Sequence, residues 1–343
     1  MPPPPAPPHA RLPSNPPEPP EPPEPPAPPA PRAPDLRAGF FWGAIGVVVF
    51  ALTLPMTRLA VGDTAAPQLP PDFVTAGRAA LAGLLSMCFL LAVRARRPAP
   101  SHWPALGVCA LGTVLGFPLG IALALREVPS MHAAVVTGLI PLATAACGAV
   151  ALRQRPSAGF WACALAGFAL VLAFAWRQGG GGLSAADGWL AMAVVSTGIG
   201  YVAGARVAAE RPASEVICWV LVISLPVTVP WALLAWPVAP AAPSAWAGFA
   251  YVTVFSMWLG FFAWYRGLAL GGVVRVSQVQ LLQPFVALIA AVPILGEPLA
   301  AETLVFALAV AATVFFGRRM PVTQPLPSPP ADAAGAPSRI LSR

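Results

Sequence analysis

Between residues 40 and 317 the chain alternates long apolar blocks with short polar links. The blocks run over approximately 40–60, 72–93, 103–125, 131–152, 157–176, 187–208, 213–236, 245–267, 274–295 and 300–317. Each is close to the roughly 20 helical residues that cross a hydrocarbon core of about 30 Å. Backbone groups placed in lipid have no water to bond, so every such block must satisfy its amides internally and is predicted to be a helix. The longest internal links are 61–71, 94–102, 177–186 and 237–244, too short to hold a soluble domain. The pattern predicts an all-α integral membrane protein of ten transmembrane helices. The first block begins near residue 39, beyond the reach of an ordinary signal peptide, and is expected to stay as the first span.

The two ends break the pattern. Residues 1–38 hold 19 of the 45 prolines, and 320–343 form a second Pro/Ala-rich stretch. Such stretches cannot build hydrogen-bonded ladders and are expected to be extended or disordered. In PPEPPEPPEPP, Glu18, Glu21 and Glu24 recur every three residues and so share one face of a polyproline II helix. That face reads as a solvated spacer or as a docking strip for a partner.

Composition agrees with the pattern. The chain is 57% hydrophobic and 10% charged, against about 25% charged in soluble domains, and its mean hydropathy is +0.72. All 20 basic residues are Arg. They stand singly or in twos and threes between apolar blocks, which is the distribution of loop anchors and not of a nucleic-acid-binding patch. With the N-terminus inside, 16 arginines fall in inside segments, three (Arg58, Arg126, Arg177) outside, and Arg78 within a span. That asymmetry predicts an even number of spans, with both termini cytoplasmic in the plasma membrane. The five cysteines lie inside apolar blocks and read as small apolar filler, with no disulfide framework or metal site.

The second half repeats the first weakly. HAAVVTGLIPLATAACGAVALRQRPS (132–157) and RVSQVQLLQPFVALIAAVPILGEPLA (275–300) align Pro141 with Pro284, and each is followed by a turn proline, Pro156 and Pro298. The preceding spans end in LALREV and LALGGV. Five spans per half is odd, so the halves must lie in opposite orientations, giving two inverted five-helix repeats with a substrate site expected between them. The expected organisation is a proline-rich cytoplasmic tail (1–38), repeats over 39–176 and 187–318, and a Pro/Ala-rich cytoplasmic tail (319–343).

Trp42, Gly43, Pro55 and Arg58 in the first span, Arg78 in the second, and the Pro141–Pro156 and Pro284–Pro298 spans with their turns carry a family resemblance. Over about 39–318 the chain resembles an EamA-type member of the drug/metabolite transporter superfamily. The turn after span nine reads LGEPL, like the family's Gly-Glu turn; the turn after span four reads LRQRPS, without it. The resemblance implies ten spans, cytoplasmic ends and transport of small metabolites, usually export.

Residues able to carry transport are few. Arg78 is the one cation inside a span; charge at the bilayer centre costs about 2.5–3.5 kcal/mol on insertion scales. It lies six residues from Asp72, about 9 Å along a helix, so it reads either as snorkelling to the outer interface or as facing a cavity against an anionic group. Gln278, Gln280 and Gln283 are amides in an apolar span; Gln280 and Gln283 share a face, and Gln283 precedes Pro284. Trp258, Phe261, Phe262 and Tyr265 recur at i, i+3, i+4 and i+7, a cavity wall or ordinary packing, while an interfacial belt accounts equally for Trp264 and Tyr265. The substrate-pathway candidates are Trp42, Arg78, Tyr201, Trp258, Phe262, Gln280 and Gln283, with Pro141 and Pro284 as helix-bending residues. The GxxxG spacings at Gly39/Gly43, Gly112/Gly116/Gly120 and Gly200/Gly204 predict close helix packing. His132 heads span four and reads as a solvated cap or a proton shuttle.

Asp72, Asp187, Glu215, Glu297 and Glu302 all sit near span ends, which weakens the case for a carboxylate proton relay. There is no GxxxxGK[ST], HExxH or GxSxG, so neither ATP coupling nor enzymatic chemistry is expected, and no cofactor. The partners implied are a small-molecule substrate and the lipid bilayer; the oligomeric state stays open between monomer and homodimer. The reading is a permease working by alternating access. The alternative is a membrane scaffold or receptor acting through its proline-rich tails.

Overall fold

Asp35 opens the first helix by accepting a hydrogen bond from the Ala38 amide at 3.1 Å, a side-chain cap of the orphan donors there. Helix therefore begins at Leu36, three residues inside the stretch expected to be tail. The computed structural model describes residues 35–151, 155–178, 180, 182–208, 210–271, 277–317, 319–320 and 322–323. The polyproline repeat and most of both tails lie outside the described residues.

Among the described residues, eight helices are long and apolar enough to cross a membrane: α1 (Leu36–Val61), α2 (Pro71–Ala92), α3 (Pro100–Glu127), α4 (Ser130–Ala151), α5 (Ala158–Gln178), α6 (Ala185–Ala208), α7 (Ala213–Leu234) and α8 (Pro243–Gly267). Two shorter apolar helices follow, α9 (Val279–Leu295) and α10 (Ala301–Gly317). Pro-initiated starts at Pro71, Pro100 and Pro243 suit the first turn, where the missing N–H would be unbonded anyway. The ninth block is the one the pattern described least well. It opens as a 3-10 segment, Ser277–Leu282, before the α-helix from Gln283. The C-terminal stretch also departs from expectation: Val322–Thr323 pairs antiparallel with Arg155–Pro156, beside the turn after α4.

Helices pair across the halves. α1 lies antiparallel to α8, with Gly46 against Trp264, Gly260 against Phe50 and Gly248 against Met56 and Ala60. α3 lies antiparallel to α6, with Gly112 against Gly200, Gly120 against Trp189 and Gly204 against Cys109. α2 packs on α7 through Gly83 and Leu221/Leu225, and α5 on α10 through Gly167 and Thr313. Small residues set these distances: a Cβ on Gly267 would sit 2.5 Å from the Gly43 nitrogen. Without a hydrophobic drive between helices in lipid, such backbone approach is the main source of attraction. All three GxxxG spacings thus serve packing. Trp264 is buried against Gly46 and Val47.

Large apolar side chains such as Leu91, Leu111, Leu165, Phe168, Ile289 and Val305 point outward. In water they would be a liability; toward acyl chains they are the expected surface.

Candidate functional site: a central cavity with one buried arginine

Two helices change their winding beside the cavity. In α3, Ala110–Gly116 is π-helical, and the Phe117 amide bonds the Gly112 carbonyl five residues back. Pro118 follows directly; lacking an N–H and crowding the carbonyl four residues earlier, it disfavours the ordinary register there. In α8, Val252–Leu259 is π-helical, and the Gly260 amide reaches the Phe255 carbonyl. The widened turns put Thr113 on one side of a cavity and Ser256 and Met257 on another.

The cavity is about 210 Å³ and draws walls from α1, α2, α3, α4, α6, α8, α9 and α10. Gly138 and Leu139 interrupt α4, so that Pro141 stands near the start of its second segment. Pro284 holds the matching place after the 3-10 opening of α9. Both prolines line the cavity, as do Gln280, Gln283 and Tyr201. The side chain of Gln278 lies outside the described residues.

Arg78 enters from α2 and is 3% exposed. It does not snorkel. Its Nη2 donates to Ser256 Oγ at 3.3 Å and to the Met257 sulfur at 3.8 Å, while its Nε–H has no partner among the described residues. Ser256 Oγ in turn lies 2.8 Å from Thr53 Oγ1, tying α1, α2 and α8 at one point. Among the described residues, the rest of the polar lining is neutral hydroxyls and amides, set among Phe50, Phe117 and Phe261.

Trp42, Trp258 and Phe262 do not line it. Phe261 does, but Phe262, one residue on, points to α2 and meets Phe89 at 4.9 Å and Trp258 at 5.4 Å. The aromatic stripe is wide enough that its faces divide between cavity and packing. Trp42 lies near the start of α1 under the Arg266 guanidinium, 4.8 Å from the ring centroid. A cation over an indole at a helix end contributes about 0.5–1 kcal/mol at exposed sites. Trp42→Leu is therefore expected to leave transport within about twofold of the parent; a tenfold loss in a liposome flux assay would return Trp42 to the pathway.

A second volume of about 510 Å³ shares Phe50, Thr113, Tyr201, Phe261 and Gln280 with the first, and reaches Ala208 and Ala213 beside the α6–α7 connection. The opposite end of the bundle is cross-linked by polar contacts between helices. Gly296, at φ +69°, ends α9 in the left-handed conformation that glycine adopts without strain, and so turns Glu297 back across the bundle. The Glu297 carboxylate accepts from the Ser130 amide at 2.7 Å, the Met131 amide at 2.9 Å and Ser130 Oγ at 3.1 Å. A carboxylate on two orphan amides at a helix N-terminus is favoured by hydrogen bonding and by the helix dipole together. Nearby, Arg58 donates to the Leu125 and Val128 carbonyls and pairs with Asp63 at 3.2 Å. The Ala66 amide, donating at 2.6 Å, draws the Asp63 carboxyl below its usual range, and the Arg58 charge adds to this. His132 is buried and meets Asp187 at 2.8 Å, so it is not a solvated cap. Among the described residues no group of three His, Cys, Asp or Glu could hold a metal ion.

Two successive stretches of this bundle, residues 37–177 and 184–317, match the model of the EamA-like transporter family. The chain belongs to that family. A relative from Bacillus subtilis (strain 168), the uncharacterized transporter YdeK, is 43% identical over 283 residues, covering 82% of this chain and 97% of its own. A crystal structure described only as that of a protein superposes with a TM-score of 0.55 at 20% identity, over 82% of this chain and 96% of the other; that likeness concerns the fold. Family membership and a relative named as a transporter make this EamA protein a multi-pass membrane transporter.

Ser256, Thr53, Thr113 and Glu297 are the residues that sequence reasoning did not single out for the site. Ser256 carried little signal, being one of several hydroxyls in its helix beside Ser244, Tyr251, Thr253 and Tyr265.

Proposed function

We propose that this transporter is a secondary permease of ten spans in two inverted five-helix halves, with both ends cytoplasmic, exporting a small organic metabolite by alternating access. The inverted arrangement is supported by the pairing pattern. A two-fold relating the halves exchanges the α1–α8 pair with the α3–α6 pair and maps α2–α7 and α5–α10 onto themselves, which are the observed contacts.

One observation carries the mechanism. A cavity built from both halves continues toward the α6–α7 connection, where Arg211 lies, while Glu297, Arg58 and the His132–Asp187 pair bind the other end together. By the positive-inside rule the Arg-bearing end is cytoplasmic, so this arrangement is an inward-facing state. The interrupted helices α4 and α9 and the π-turns of α3 and α8 supply the places where segments can shift without breaking whole helices.

The test is counterflow in proteoliposomes with a metabolite panel, with and without a pH gradient. Saturable exchange of at least one solute is expected, and an inert protein across the panel would end the permease reading. Deletion of residues 1–34 removes no part of the described bundle and is expected to leave flux within about twofold. Abolished flux from a correctly inserted truncation would favour the scaffold alternative.

A further inference from the structure

We infer that the central cavity binds a small organic monoanion, a carboxylate on an apolar or aromatic body, with Arg78 as its counter-charge. The inference rests on the transporter reading above. Among the described residues, Arg78 is the one charged residue lining the cavity, and none lines the volume joined to it. No carboxylate among the described residues pairs with Arg78. A guanidinium carries five N–H donors. Here Nη2 rests on a hydroxyl and a thioether, both weak neutral acceptors, and the buried Nε–H is unbonded among the described residues. A buried cation without a paired charge is among the least favourable arrangements in a low-dielectric interior. A ligand carboxylate repairs it by accepting two parallel charge-assisted bonds. Ser256, itself fixed by Thr53 at 2.8 Å, holds the guanidinium in place from one side.

The charge count selects the ligand. A dianion leaves one negative charge uncompensated, a zwitterion leaves its ammonium facing only neutral oxygens, and a cation is repelled. The body of the ligand meets Phe50, Phe117, Phe261, Ile140 and Leu281, an apolar surround with aromatic faces. Direction follows as well. With Arg78 fixed in the carrier, the loaded form carries one more negative charge than the empty form. An inside-negative membrane potential then drives the anion outward.

Three probes share a phenyl ring on a short chain and differ in charge: 3-phenylpropionate, phenylalanine and phenethylamine. The full chain, purified and reconstituted, is expected to bind and exchange 3-phenylpropionate at least about tenfold better than either of the others. With valinomycin, a tenfold potassium gradient is expected to sustain about a tenfold gradient of the anion. Arg78→Gln is expected to weaken binding about 10- to 100-fold, read by ligand-induced thermal shift, with Arg78→Lys between. The apo Arg78→Gln protein is expected to melt no lower than the parent, because an unpaired buried charge has been removed. Should Arg78→Gln not fold, Ser256→Ala, expected to weaken binding about fivefold, tests the same contact. Preference for phenylalanine or phenethylamine, or anion affinity unchanged in these variants, overturns the inference and leaves the permease standing. Movement of other solutes of the panel, with no anion among them, overturns it in the same way. If no solute moves at all, the transporter reading fails and this one falls with it.

Discussion

Gly112→Val is expected to abolish the folded bundle, lowering stability by about 3 kcal/mol or more. The reason is backbone against backbone. A Cβ on Gly112 would stand 2.3 Å from the Ser196 carbonyl oxygen and 2.8 Å from the Gly200 Cα. None of those atoms belongs to a side chain that could rotate away. Nor can α6 retreat, because Gly198 lies against the Ala143 carbonyl and the Thr144 amide of α4, where a Cβ would meet them at 3.2 Å. Gly107 supplies the control on the same helix: a Cβ there meets nothing within 4 Å. Gly107→Val is expected to stay within about 0.5 kcal/mol of the parent. Size-exclusion profile and thermal unfolding in detergent separate the two, and a monodisperse Gly112→Val protein with the parent's melting point would show that α3 and α6 do not meet this closely.

Glu297→Ala is expected to loosen the end of the bundle opposite the α6–α7 connection. The substitution strands two backbone amides and one hydroxyl at the start of α4, removing three hydrogen bonds to a charged acceptor. The expected cost to this closed form is about 2–4 kcal/mol. That is enough to move a two-state equilibrium by roughly 30-fold or more toward the form open at that end. In a background without the five native cysteines, a cysteine at Thr137, which lines the cavity, is expected to react faster with a membrane-impermeant thiol reagent added on that side. Glu297→Gln keeps one carbonyl acceptor and is expected to fall between. Unchanged reactivity together with a lowered melting point would make Glu297 a plain structural cap. The counterpart turn in the first half, LRQRPS, has no carboxylate in its sequence.

Most helices were legible because the rule that sets them is local. A segment in lipid must satisfy its own amides, and it shows in sequence as a run of apolar residues of the right length. The observed starts and stops of α1 to α8 lie within a few residues of the apolar blocks. α9 was less legible, because a 3-10 opening and an α-helix share the same apolar composition and differ only in hydrogen-bond register. The π-turns of α3 and α8 were hidden for the same reason, although Pro118 marks one of them once the winding is known. His132 looked like an exposed cap because its partner, Asp187, is 55 residues away in sequence and 2.8 Å away in space.

Composition and spacing alone predict a bundle of apolar helices, repeated once, with arginines concentrated at one end and one cation, Arg78, more than a helical turn from either end of its span. The bilayer reads those features directly, segment by segment. Three further outcomes come from packing in space: Arg78 faces a cavity instead of snorkelling, Phe261 but not Phe262 lines it, and Glu297 ties α9 to α4. They depend on helix rotation and on which helices meet, and rotation is set by small-residue contacts between segments more than 80 residues apart, such as Gly112 on Gly200.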